Sequence, residues 1–121
     1  MKFSHLFTSL LLVSSLLMSC DKEEDTIAVV RIVAVTGVPI EGVNVRLYPE
    51  PSDVQANELI LEVEQLTNAA GEAVFDFTEN YEQGQAGFAV LNIEATQDTS
   101  IVEGIIKIDP EVRNEQVLVL Q

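Results

Sequence analysis

Covalent chemistry needs a nucleophile, a proton shuttle or a metal ligand, and this sequence offers few of the first two. It has one histidine, His5, and one cysteine, Cys20, against 20 acidic residues. Glu62 and Glu64 alternate along an expected strand, so they share a face about 7 Å apart. Glycoside hydrolysis uses carboxylates at such a separation, but it also needs a cleft and one carboxyl of raised pKa. Alternating glutamates are more often the wet face of a strand. Asp76, Glu79, Asp98 and Asp109 fall at expected strand ends and could gather at one pole to bind Ca²⁺. That ion takes six or more oxygens, and the sequence lacks the D-x-[DN]-x-[DN]-G loop that would supply them together. For sugar stacking there is no tryptophan, which leaves Tyr48 and Tyr81. Tyr81 sits in a polar, glycine-flanked loop over 78–87, where it is the possible binding-loop residue. The alternative is a ring folded back over the edge of the domain.

The elements that would position these residues begin with an apolar N-terminal run. Lys2 precedes a 13-residue stretch over 6–18, broken only by Thr8, Ser9, Ser14 and Ser15. A membrane-spanning helix needs about 20 apolar residues, so this segment has the anatomy of a secretory signal. Removing 19 of the 121 residues leaves 102, enough for one domain that buries roughly 65% of its unfolded surface. Lys2 and His5 leave with the signal. Of six basic residues five remain against 20 acidic ones, a formal charge of −15 in place of −14. Nucleic acid is excluded as a partner, because too few cations remain to displace its counterions. Without an imidazole, Ser-His and Cys-His catalysis are excluded, and zinc loses its usual ligands. The sequence reads as non-enzymatic, with no cofactor.

Leu17-Met18-Ser19-Cys20 resembles the lipobox of bacterial lipoproteins: an aliphatic residue, a tolerant position, a small residue and then cysteine. The resemblance implies cleavage after Ser19, a diacylglyceryl group on the Cys20 sulfur and three acyl chains, including palmitate, on the mature N-terminus. Two or more chains anchor stably, where one does not. Asp21-Lys22-Glu23-Glu24-Asp25 follows at once. This charge run reads as a solvated tether. Lys22, Glu23, Glu24 and Asp25 also resemble the lysine-then-acidic export tag that sends lipoproteins to the outer face of the outer membrane in some Gram-negative bacteria. A protein facing the periplasm is the alternative.

From Thr26 onward short apolar runs alternate with turn residues, and no helical period is sustained. Strands are expected over 27–35, 43–48, 59–66, 73–77, 88–96, 101–108 and 116–120. Thr36-Gly37-Val38-Pro39 and Asp109-Pro110 interrupt the pattern, and Gly71 supplies a positive φ in the turn over 67–72. Seven short strands at this spacing predict an all-β, antiparallel sandwich, with Phe75 and Phe77 in its core. The organisation is thus a signal peptide over 1–19, a lipidated acidic tether over 20–26 and a sandwich over 27–121.

The stretch from Gly37 to Tyr48, G-V-P-I-E-G-V-N-V-R-L-Y, resembles the opening of carboxypeptidase-regulatory-like and collagen-adhesin B-type domains. Thr67 to Phe77 resembles their second hallmark, T-[DN]-x-x-G followed by an alternating aromatic strand. Gly87 to Ala95 resembles the third, with Ala89, Leu91, Ile93 and Ala95 at the alternating positions. There the family usually has an aromatic where Ala89 stands, and Phe88 comes one residue early. A one-residue slip would exchange the faces of that strand, so both registers stand at this point. The resemblance implies a seven-stranded Ig-like or prealbumin-like sandwich used as a spacer, adhesin stalk or accessory unit. The expected function is that of a lipid-anchored, non-catalytic interaction or structural module, whose partner is another envelope protein or a glycan. A glycan- or calcium-binding accessory surface lipoprotein is the alternative.

Overall fold

A computed structural model describes residues 24–50, 62–82 and 87–121. The expected signal peptide, Cys20, Lys22 and Glu23 lie outside the described residues, as do the first three positions of the strand expected over 59–66.

Among the described residues seven strands form two sheets packed as a sandwich. They are β1 (Ile27–Val33), β2 (Asn44–Pro49), β3 (Val63–Leu66), β4 (Glu72–Asp76), β5 (Ala89–Gln97), β6 (Ser100–Ile108) and β7 (Arg113–Val119). One sheet has the order β4-β1-β7 and the other β3-β2-β5-β6. Alternation builds the core. Ala28, Val30 and Ile32 of β1 face Val45 and Leu47 of β2 and Leu91 and Ile93 of β5 across the interface, all fully buried. Phe75 and Phe77 stack with ring centroids 6.3 Å apart inside the same cluster.

The expectation of a wholly antiparallel sandwich is corrected in one place. β1 and β7 run parallel, with Ile27 beside Arg113 and Val33 beside Val119. The chain leaves β6 in one sheet, crosses through the 109–112 turn and enters the other sheet as β7. It then travels in the direction of β1 because five strands of alternating direction lie between them. The last strand also begins three residues earlier than expected. Arg113, Asn114 and Glu115 carry no apolar alternation, yet they pair with Ile27, Ala28 and Val29. The loop expected over 78–87 opens instead with a short helix, α1 (Thr78–Glu82). The Asp76 carboxylate accepts the Thr78 N–H at 2.9 Å, and Tyr81 N–H returns to Phe77 O, which turns the chain into helix.

The register of β5 is resolved. Ala89, Leu91, Ile93 and Ala95 point inward, and Phe88 is exposed. Small Ala89 pairs with Ile108, so a branched side chain from β6 fills the core at that level. Lys107 covers the outward Phe88, its Nζ 4.4 Å from the ring centroid.

Gly71 is where the two ends of the resemblance motifs meet. Its φ is +75°, and a Cβ there would stand 2.6 Å from Ile32 O and 3.0 Å from Pro39 Cβ. The same Ile32 donates its N–H to Gly71 O and accepts from Ile40 N–H. Gly37 also has a positive φ, +89°, but open space around the missing Cβ. The pair separates conformation from close approach. Gly37→Ala should cost about 1–2 kcal/mol, the ordinary penalty of left-handed backbone. Gly71→Ala should cost clearly more, because the backbone of β1 must shift as well. Phe75→Ala should cost roughly 3–5 kcal/mol. Urea denaturation midpoints measure all three, and equal costs at the two glycines would contradict the close approach.

Candidate functional site

The strands alternate in direction from β1 to β7, so the sandwich has two distinct poles. One pole carries the start of β1, α1 and the 109–112 turn. The other carries the 34–43 connection, the 67–71 turn and the Asp98-Thr99 hairpin.

Three buried polar residues close these poles, each through several hydrogen bonds. At the first pole Thr26 donates its N–H to Thr78 Oγ1 at 3.0 Å, accepts Glu111 N–H on its hydroxyl at 2.8 Å and accepts Phe77 N–H on its carbonyl. Asn114 Nδ2 donates to the carbonyls of Ile27, Asp109 and Val112 at 3.1, 3.0 and 3.3 Å. Its Oδ1 accepts Asp109 N–H at 2.9 Å. At the second pole the Thr67 hydroxyl donates to Ile40 O at 2.7 Å and accepts Val43 N–H at 2.9 Å. None of the three stands out as a site in the sequence. The available signal was phase: Asn114 falls on the inward positions of β7, where an apolar residue belongs.

Tyr81 belongs to the first pole. It projects from α1, packs against the core cluster and donates its hydroxyl to Ile108 O at 3.0 Å. The ring therefore closes the end of the sandwich. Burial raises the phenol pKa above its ordinary value, and the nearby Asp109 charge adds to the shift.

The four acidic candidates do not share a pole. Asp76, Glu79 and Asp109 lie with Tyr81, whereas Asp98 turns the β5–β6 hairpin at the opposite end with φ +54°. Asp76 is held below the usual carboxylate range, first by the Thr78 hydroxyl and then by the Thr78 N–H. Among the described residues no three acidic side chains converge tightly enough to hold a metal ion.

Glu62 and Glu64 lie on the outer face of the four-stranded sheet. Cross-strand register sets Glu64, Arg46, Glu94 and Glu103 in one row across β3, β2, β5 and β6. Arg46 serves this row alone. Its guanidinium meets Glu62 at 2.9 Å and Glu94 at 3.5 Å, and stacks 4.1 Å from the centroid of Tyr48. Tyr48 is thus occupied by a cation. The neighbouring rows carry exposed Leu66 and Ile101 on one side and Ile105 on the other. On the three-stranded sheet the outer face is apolar at Val74, Val117 and Val119, with Val29 fully buried between strands. Arg31 lies among them, and its Nε is the one buried side-chain atom among the described residues without a hydrogen-bond partner. Among the described residues the candidate side chains thus lie on the two sheet faces and at the two poles.

No protein-family model and no curated protein sequence matches the chain. Among solved structures it is similar to 3-chlorocatechol 1,2-dioxygenase from Rhodococcus opacus 1CP, with a TM-score of 0.52 and 11% identity. The match covers 85% of this chain and 62% of that one, so the chain spans less than two thirds of its neighbour's length. At that identity the likeness concerns the fold: an all-β sandwich.

The Tyr81 geometry has a pH signature. Its phenol is neutral in the folded state beyond the pH at which the unfolded chain ionises, so the folded form binds the proton more tightly. That stabilisation is complete below pH about 10 and is lost as pH rises through the raised folded value. Wild type should therefore lose melting temperature above pH about 10 more steeply than Tyr81→Phe. At neutral pH Tyr81→Phe should cost about 1 kcal/mol, since Ile108 O loses its donor. A Tyr81→Phe variant with unchanged stability and the same alkaline profile would contradict this role.

Proposed function

We propose that this chain is the precursor of a lipid-anchored envelope protein, whose sandwich serves as a non-catalytic interaction or structural module of prealbumin-like topology. The observation that carries the reading is the spacing between Cys20 and the first buried residue of the domain. Thr26 is already buried and locked by three hydrogen bonds, one each to Phe77, α1 and the 109–112 turn. Five residues separate it from the lipobox-like cysteine, and Glu24 and Asp25 among them are exposed. Such a tether spans at most about 17 Å, so lipid on Cys20 would hold the first pole against the bilayer. The second pole would point away.

Several features support a role without chemistry. Once residues 1–19 are removed no imidazole is left, and the single thiol is the acylated one. Glu62, the better placed of the carboxylate pair, is engaged by Arg46 on an open sheet face. The parallel pairing of first and last strands and the sheet order support the prealbumin-like reading. Among the described residues no helix is long and apolar enough to cross a membrane. In this reading lipid supplies the attachment. The domain's partner is another envelope protein or a glycan, met by the second pole or the sheet faces.

Mass spectrometry of the membrane fraction tests the anchor. The mature form should begin at Cys20 with acyl mass and no peptide from residues 1–19, and Cys20→Ala should release or stall the protein. An intact, unacylated Cys20 in membranes would sink the proposal. Outward display rests on the tag. Replacing Lys22, Glu23, Glu24 and Asp25 by alanine should leave the melting temperature unchanged while moving the protein from protease-accessible to protease-protected on intact cells. Wild-type protein already protected from external protease would place it in the periplasm.

A further inference from the structure

We infer that β6 is a docking edge for a second copy of this chain, pairing antiparallel with its own equivalent about Ile105. Among the described residues β6 has a hydrogen-bonded neighbour on one side only, and at nine residues it is the longest edge strand. A long edge strand presents a row of backbone donors and acceptors that templates another strand unless it is blunted. The other edges are shorter: four residues in β3, five in β4 and seven in β7. Neither proline nor positive φ interrupts β6.

Its outward residues are Ile101, Glu103, Ile105 and Lys107, all exposed. Isoleucine is an unusual choice for an edge that must stay free, and the charges explain the partner. A twofold pairing centred on Ile105 sets Glu103 opposite Lys107 of the second copy, and Lys107 opposite its Glu103. Ile105 meets Ile105, while Gly104 meets Ile106 and Val102 meets Ile108 on the core side. All seven positions from Val102 to Ile108 lie within the strand. Shifting the centre to Glu103 opposes two glutamates, and shifting it to Lys107 opposes two lysines. Centring on Gly104 or on Ile106 leaves Glu103 without a cation opposite. Only one register that keeps outward faces together matches charge with charge.

The isolated sheet also carries a defect that this pairing repairs. Glu94 and Glu103 stand directly opposite each other on β5 and β6, a like-charge pair that destabilises a sheet. Arg46 reaches Glu94 but lies one strand beyond Glu103. The second copy's Lys107 would arrive on the other side of Glu103. The row would then read Glu64, Arg46, Glu94, Glu103, Lys107. Lys107 is free to turn, since its own-chain contacts are a 3.7 Å ion pair with Asp109 and the exposed Phe88 ring. A net charge of −14 opposes self-association at long range, which is why a matched register is needed at short range.

Cysteine cross-linking in the full chain tests this, because a twofold axis brings residue 105 against itself. Ile105→Cys should give a disulfide-linked dimer under mild oxidation. Wild type controls for Cys20, and Val117→Cys, exposed on the other sheet, controls for random collision. Adding Glu103→Lys or Lys107→Glu should lower the yield about tenfold, the equivalent of ~1.4 kcal/mol over two symmetric pairs. The double exchange Glu103→Lys with Lys107→Glu should restore it. All four positions are exposed, so melting temperatures should stay within a few degrees. The inference is overturned if Val117→Cys cross-links as well as Ile105→Cys, if Ile105→Cys gives no dimer, or if the double exchange fails to recover what each single change removes.

Discussion

Two β-sheets can share an apolar core only if the chain crosses between them, and each crossing buries backbone groups that no ladder satisfies. This constraint shapes both poles of the domain. A buried donor or acceptor without a partner costs about 1–3 kcal/mol, so several such losses would consume a total stability of about 5–15 kcal/mol. Thr26, Thr67 and Asn114 meet the need with short side chains placed where strands end. Asn114 serves three carbonyls and one N–H, which ties the 109–112 turn to the first residue of β1. The parallel β1–β7 pairing follows from that clasp, because the turn must deliver the last strand beside the first. At the other pole Thr67 and Gly71 bring the 67–71 turn against the 34–43 connection, one by hydrogen bonds and the other by having no side chain.

With the poles closed in this way, the described residues offer the outer sheet faces, their edges and the exposed turns for interaction. Tyr81, the most conspicuous aromatic outside the strands, is spent on closure. Among the described residues the acidic candidates divide between the poles and the row beside Arg46, and no three of them gather to hold a cation. The described chain enters the sandwich at the Thr26 pole, so an anchor on residue 20, as proposed, would also hold that pole.

Much of the fold was legible because β alternation is a local signal. The alternation over 73–77 puts Phe75 and Phe77 in the core, and they are buried. The positive φ of Gly71 was legible from its turn. What escaped the sequence was set by tertiary contacts. Arg113, Asn114 and Glu115 looked like loop because the pattern counts apolar residues, yet Asn114 occupies a core position by satisfying backbone. α1 escaped because five residues carry no period, and a hydrogen bond from Thr78 to Asp76 makes the turn. The register of β5 hinged on whether an alanine could stand where an aromatic is usual, and that depended on Ile108 from another strand. Glu62 and Glu64 were placed on one face correctly, but the arginine that engages Glu62 is 16 positions away in sequence.

Lipid on Cys20, as proposed, would hold the Thr26 pole against a bilayer, with the rest of the sandwich extending away from it. Strands of seven to nine residues make the domain about 23–31 Å long, so the two poles should differ measurably in depth. Quenching by brominated lipid measures this directly, using the mature lipidated protein in vesicles with a fluorophore at position 109 or position 38. Strong quenching is expected at 109, in the turn beside Thr26, and little at 38, in the opposite connection. Equal quenching at both positions, or stronger quenching at 38, would contradict it.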